Sequence, residues 1–129
     1  LDAYHEKAVE VLTDGLMSIG LLKGDKDKIK EEKSLSKFYM HGTGHWLGLD
    51  VHDVGSRKLG DEMRVFEPGM IVTVEPGLYI ADDLEDVEEK YRGIGIRIED
   101  NVLVTEDGNE VLTSAVPKKI EDIENLMSA

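Results

Sequence analysis

The sequence predicts an α+β fold, an antiparallel sheet with flanking helices. Three observations carry this reading. Apolar residues recur at spacings of three and four near the start of the chain. Two β-branched segments follow, bounded by Pro-Gly and Asp-Gly turns. A helical stretch closes the chain.

The elements follow in order. Residues 1–20 read as an amphipathic helix with Tyr4, Ala8, Val11, Leu12, Leu16 and Ile19 on one stripe, stopped by Gly20 and Gly24. Asp25–Lys33 reads as a short charged helix. Residues 39–53 hold too many glycines for a helix and read as extended segments with turns. Met70–Glu75 reads as a buried strand because Ile71, Val72 and Val74 favour sheet, with Pro68-Gly69 before it and Pro76-Gly77 after it. Residues 81–92 carry six carboxylates and no periodic apolar face, which predicts a solvated loop. Residues 93–113 read as a hairpin turning at Glu106-Asp107-Gly108-Asn109. In that hairpin alternation puts Arg97, Glu99 and Asn101 on one face and Ile96, Ile98 and Val102 on the other. Residues 119–128 read as the closing helix.

The 129 residues have the length of one domain, and a hydrophobic content of 40% suits a globular core. Fifteen basic against 28 acidic side chains leave a net charge of −13. That balance opposes nucleic-acid backbones and anionic membranes as partners and suits cations. Without cysteine there is no disulfide framework, thiolate nucleophile or Cys zinc site. The absence of cysteine and of a leader-like N-terminus suggests a cytoplasmic protein. Leu1 opens the chain inside a helical pattern, which suggests a piece of a longer protein or a trimmed terminus.

Chemistry concentrates in "HGTGHWLGLDVHD", residues 41–53, which holds three of the four histidines. His41 and His45 are four apart, the spacing of a helical metal site. Gly42 and Gly44 disfavour a helix there by about 1–2 kcal/mol relative to alanine. In an extended chain His41 and His45 share a face, and His52 reaches it only if the chain bends, as Gly48 permits. A metal or substrate site and histidines that brace turns are both open readings. Glu75 ends an otherwise apolar strand, so if buried it must be paired, hydrogen-bonded or metal-bound. Glu99 has the same logic, against a plain Arg97–Glu99 surface pair. Together His45, Glu75 and Glu99 make an imidazole and carboxylate set suited to Mn, Fe, Co or Zn. Nothing in their context marks Asp50 or Asp53 as further ligands.

The segments "HGTGHWLGLDVHDVG", "EPGMIVTVEPGLYI" and "YRGIGIRIEDNVLVTEDGNEVLT" closely resemble the C-terminal part of the Xaa-Pro aminopeptidase (aminopeptidase P) family. That family belongs to the pita-bread metallopeptidases, with prolidase and methionine aminopeptidase. The resemblance runs over essentially all 129 residues and implies the C-terminal portion of a pita-bread catalytic domain. It implies two divalent metal ions, usually Mn²⁺, with His45, Glu75 and Glu99 as ligands and two aspartates from an upstream hairpin. Nothing before His41 resembles that hairpin, so the chain is expected to begin after it and to be inactive alone. A metal-bridging hydroxide would attack the scissile carbonyl, with Glu75 as acid/base. His52 would steady the oxyanion, His41 would help hold the peptide, and Tyr79 and Arg97 would form a network around the ligands. The implied partner is a peptide with proline in second position.

Only fourteen residues separate Tyr79 from Ile94, a short stretch more like aminopeptidase P than prolidase. Prolidase and a non-catalytic pita-bread binding module remain as alternatives. So does a small free-standing domain holding one metal. A lone half of a two-half domain is expected to expose a broad apolar face and to self-associate as a homo-oligomer.

Overall fold

The computed structural model describes residues 2–128. Its helices are α1 (Asp2–Ser18), α2 (Lys26–Glu31) and α3 (Ile120–Met127). Its strands are β1 (Lys58–Leu59), β2 (Glu62–Met63), β3 (Ile71–Val74), β4 (Gly77–Tyr79), β5 (Gly95–Arg97), β6 (Asp100–Thr105) and β7 (Gly108–Val111). Every strand pair is antiparallel. The result is an α+β arrangement. No helix among the described residues is long and apolar enough to cross a membrane.

Helix α1 stops where Gly20 takes φ +78°, a left-handed value that glycine adopts without steric penalty. The turn folds back so that the Leu21 and Leu22 amides both donate to the Leu16 carbonyl. Asp25 then caps α2, its carboxylate accepting from the Asp27 and Lys28 amides. Leu16, Leu22, Ile29, Leu35, Phe38, Tyr39, Ile80 and Val87 pack into one core beside these helices. The predicted α1 stripe is wider than that core. Leu16 is fully buried, but Val11 and Ile19 are exposed. Thr13 is buried in their place because its hydroxyl donates to the Val9 carbonyl at 2.7 Å, which satisfies it within the helix.

Residues 81–92 depart from the solvated loop expected of them. Val87 is buried, and Leu84 and Tyr91 pack on the core. A single 3₁₀ turn, Glu89–Tyr91, and Arg92, donating to the Val87 and Glu85 carbonyls, fix the path. Leu84, Val87 and Tyr91 form a short stripe that the intervening carboxylates dilute in the sequence.

The expected 93–113 hairpin is two structures. β5 pairs with β4, Leu78 opposite Ile96, in a separate two-stranded sheet. β6 and β7 form the actual hairpin with Thr105 opposite Gly108, so the turn is the two residues Glu106-Asp107. The central sheet runs β3-β6-β7. On the free edge of β3 the 43–47 segment adds an irregular fourth strand. There the Leu47 amide donates to Ile71, Thr73 to His45, and Glu75 to Thr43. This pairing is what carries the histidine segment to the strand that ends in Glu75.

Ile96 and Ile98, on the apolar face of that alternation, are about half exposed. With Leu12, Ile19, Leu78 and Ile94 they line an open apolar groove of about 430 Å³. Helix α3 is likewise exposed, with Ile120 and Leu126 turned to solvent.

Candidate metal centre

Residues 41–45 lie against β3 because Gly44 has no side chain. A Cβ there would overlap the Thr73 carbonyl oxygen, so alanine cannot take its place without moving the strand. Arg57 donates to the Gly44 carbonyl at 3.1 Å and holds the segment from the other side.

The close approach puts His45 beside Glu75. His45 Nδ1 lies 2.8 Å from the Trp46 carbonyl, an oxygen that only accepts, so Nδ1 carries a proton. In the neutral ring that leaves the Nε2 lone pair pointing outward. Nε2 faces Glu75 Oε1 at 3.3 Å. Two acceptors so placed need a proton or a cation between them. A backbone-anchored imidazole with a free Nε2 beside a carboxylate is the donor arrangement that divalent cations use. The pair fits a metal on this ground.

Glu75 is held on both oxygens. Oε1 accepts from the Thr73 hydroxyl at 3.1 Å, and Oε2 lies 3.4 Å from Arg97 Nη1. Thr73 is 1% exposed and its hydroxyl also accepts from the His45 amide at 3.0 Å. One hydroxyl therefore sets both members of the pair. This role is visible in "VTVE" only as alternation, which puts residues 73 and 75 on one face.

A second network adjoins the first. Arg97 Nε donates to the Tyr79 phenol oxygen at 2.6 Å, and the phenol donates to His41 Nε2 at 3.1 Å. His41 Nδ1 donates to the Gly42 carbonyl at 2.7 Å, so every polar atom has one consistent role. Gly77 leaves room for the Tyr79 ring, which any Cβ there would meet. The Tyr79 hydrogen bond first, and the Glu75 and Glu99 charges after it, raise the Arg97 guanidinium above its ordinary pKa.

The chain bends at Gly48 as the sequence allows. The Asp53 carboxylate accepts from the Leu49 and Val54 amides, and the Asp53 amide donates to the Trp46 carbonyl. Asp53 thus braces the turn. The bend brings the exposed His52 ring to 4.2 Å from the His45 ring, centroid to centroid. Glu99 is exposed between β5 and β6, a charged neighbour of Arg97. Among the described residues no three His, Asp or Glu side chains converge as a ready-made metal cage. The structure assembles His45 with Glu75, and His41 with Tyr79 and Arg97, and leaves Glu99 outside the pair.

The model of metallopeptidase family M24 matches residues 1–106. The chain is 57% identical over 124 residues to the Xaa-Pro aminopeptidase of Haemophilus influenzae, covering 96% of the chain and 28% of that protein. The solved structure of Pseudomonas aeruginosa aminopeptidase PepP superposes with a TM-score of 0.93 at 56% identity, over 96% of this chain and 28% of that one. Aminopeptidase P from E. coli, solved with the inhibitor Pro-Leu and in a Zn-substituted form with product, gives a TM-score of 0.88 at 54% identity, over 99% of this chain and 28% of that one. The chain thus spans little more than a quarter of the length of the relatives it matches.

Proposed function

The chain belongs to metallopeptidase family M24, and from that premise we propose that it forms part of an Xaa-Pro aminopeptidase releasing the first residue of peptides with proline second. The observation that carries this reading is His45 Nε2 set 3.3 Å from Glu75 Oε1. Relatives named Xaa-Pro aminopeptidase support the substrate class. Two divalent cations, Mn²⁺ foremost, would be held by His45 and Glu75, with Glu99 and further carboxylates brought in around them. Bound there, they supply the Lewis acidity that lowers the pKa of water and polarises a carbonyl.

The chain's own residues do the rest. Glu75 takes the proton of the attacking water and returns it to the leaving proline nitrogen, its carboxylate steered by Thr73 and Arg97. His41, its ring fixed by Gly42 and Tyr79, holds the peptide. His52, beside His45, donates to the oxyanion. Three donors are too few for two cations, so these 129 residues alone are expected to leave peptides uncut.

The test is a peptide panel on the protein at its native length with Mn²⁺: an Xaa-Pro-Yaa tripeptide, an Xaa-Pro dipeptide and a Met-Ala peptide. Cleavage of the tripeptide before proline is the expected result. Preference for the dipeptide would mean a prolidase instead. No cleavage by metal-loaded protein would mean a binding module.

A further inference from the structure

We propose that His5, on α1, is a positioning residue for the peptidase site, holding His41 and Glu75 in place through the buried hydroxyl of Thr43. The inference rests on the peptidase reading for its kinetic test, but not for its structural one.

Thr43 is 2% exposed. Its Oγ1 lies 2.8 Å from His5 Nδ1 and 2.8 Å from the Tyr39 phenol oxygen. A hydroxyl offers one donor and two acceptor positions, so both partners are accommodated whichever way the protons run. Thirty-eight residues separate His5 from Thr43, so this is a tertiary link from the helix to the histidine segment.

What Thr43 touches gives the link its meaning. Its carbonyl accepts the Glu75 amide at 2.7 Å. Its neighbour Gly42 carries the carbonyl that fixes His41 Nδ1. The Tyr39 ring, buried and bonded to the same hydroxyl, meets the His41 ring edge-on at 5.0 Å between centroids and the His5 ring at 5.9 Å. Burial holds the Tyr39 phenol above its ordinary pKa, so it stays protonated. His5, Tyr39 and Thr43 thus converge on the short backbone stretch that aims His41 on one side and anchors the Glu75 amide on the other. Without His5, a buried hydroxyl loses one of its two neighbours and the stretch loses its tie to α1.

The experiment is a double-mutant cycle on the protein at its native length, read by kinetics and by the ¹⁵N shifts of the His41 ring. His5→Leu keeps bulk and removes the polar atom. His5→Asn puts an amide nitrogen where Nδ1 sits. Thr43→Val removes the hydroxyl at constant volume. We expect His5→Leu and Thr43→Val each to lower kcat/KM about tenfold, the rate equivalent of one net hydrogen bond. We expect the double variant to be no worse than Thr43→Val, and His5→Asn to return to within about threefold of the parent. The His41 ring shifts should move in His5→Leu and return in His5→Asn. Additive losses, equal losses in Leu and Asn, or unmoved His41 shifts would overturn the proposal. If the parent cleaves no Xaa-Pro peptide, the peptidase reading fails, and the His41 shifts alone decide the role of His5.

Discussion

Replacing Thr73 with valine keeps the side-chain volume and deletes the hydroxyl that joins His45 to Glu75. Two hydrogen bonds go: the His45 amide to Oγ1 at 3.0 Å and Oγ1 to Glu75 Oε1 at 3.1 Å. A neutral bond contributes about 1 kcal/mol net and one to a carboxylate about 1.5–3 kcal/mol. The added methyl returns about 1 kcal/mol of burial because the site is 1% exposed. The net expectation is a loss of about 1.5–3 kcal/mol. Urea unfolding of metal-free parent, Thr73→Val and Thr73→Ser measures it, with an unchanged m-value showing that the unfolded state is comparable. Serine keeps the hydroxyl and should lose much less than valine. A valine variant within about 0.5 kcal/mol of the parent would refute the claim that this hydroxyl holds the pair together.

Other expectations follow from the same geometry. Gly44→Ala drives a Cβ into the β3 backbone and should cost about 3 kcal/mol, whereas Gly42→Ala, with open space around it, should stay within about 1 kcal/mol by denaturant midpoint. Tyr79→Phe removes the acceptor of Arg97 and the donor to His41. It should lower kcat/KM about tenfold with little change in thermal midpoint. Burial pushes the Asp100 carboxyl up, but the hydrogen bonds from Thr113 and Lys118 outweigh it and hold the group below its ordinary value. A depressed carboxylate stabilises the fold fully above its unfolded pKa of about 3.9 and loses that contribution as pH falls through the folded value. Lys118→Met should therefore move the acid limb of a stability–pH curve to higher pH.

The sequence and the structure agree where one local rule decides. The α1 stop at Gly20, the short helix after Asp25, the β3 strand and the Gly48 bend each need only a few neighbouring residues. They diverge where partners are distant. Nothing in "GIGIRIEDNVLV" says that Gly95–Arg97 pairs with β4 while Asp100–Thr105 pairs with β3, because strand pairing is chosen across the chain. The buried Val87 was hidden among carboxylates. His45 and Glu75 stood out by residue type and setting, and Tyr79 and Arg97 through the family resemblance. Thr43 and Thr73 did not, since a threonine in a loop or strand is ordinary until its hydroxyl is seen between two functional groups. Asp53 proved to brace the turn that carries His52, a role that depends on a backbone path unreadable from composition.

The most direct test of the central claim is Mn²⁺ binding by calorimetry, with cleavage of an Xaa-Pro-Yaa peptide, in the native-length parent and its Glu75→Gln variant. Glutamine keeps the shape of the side chain and removes the charge that faces His45 Nε2 and accepts the proton. The account predicts that the variant binds Mn²⁺ at least tenfold more weakly and loses about a thousandfold or more in kcat, the combined effect of a lost ligand and a lost proton carrier. A Glu75→Gln protein that binds Mn²⁺ and cuts the peptide as the parent does would contradict it.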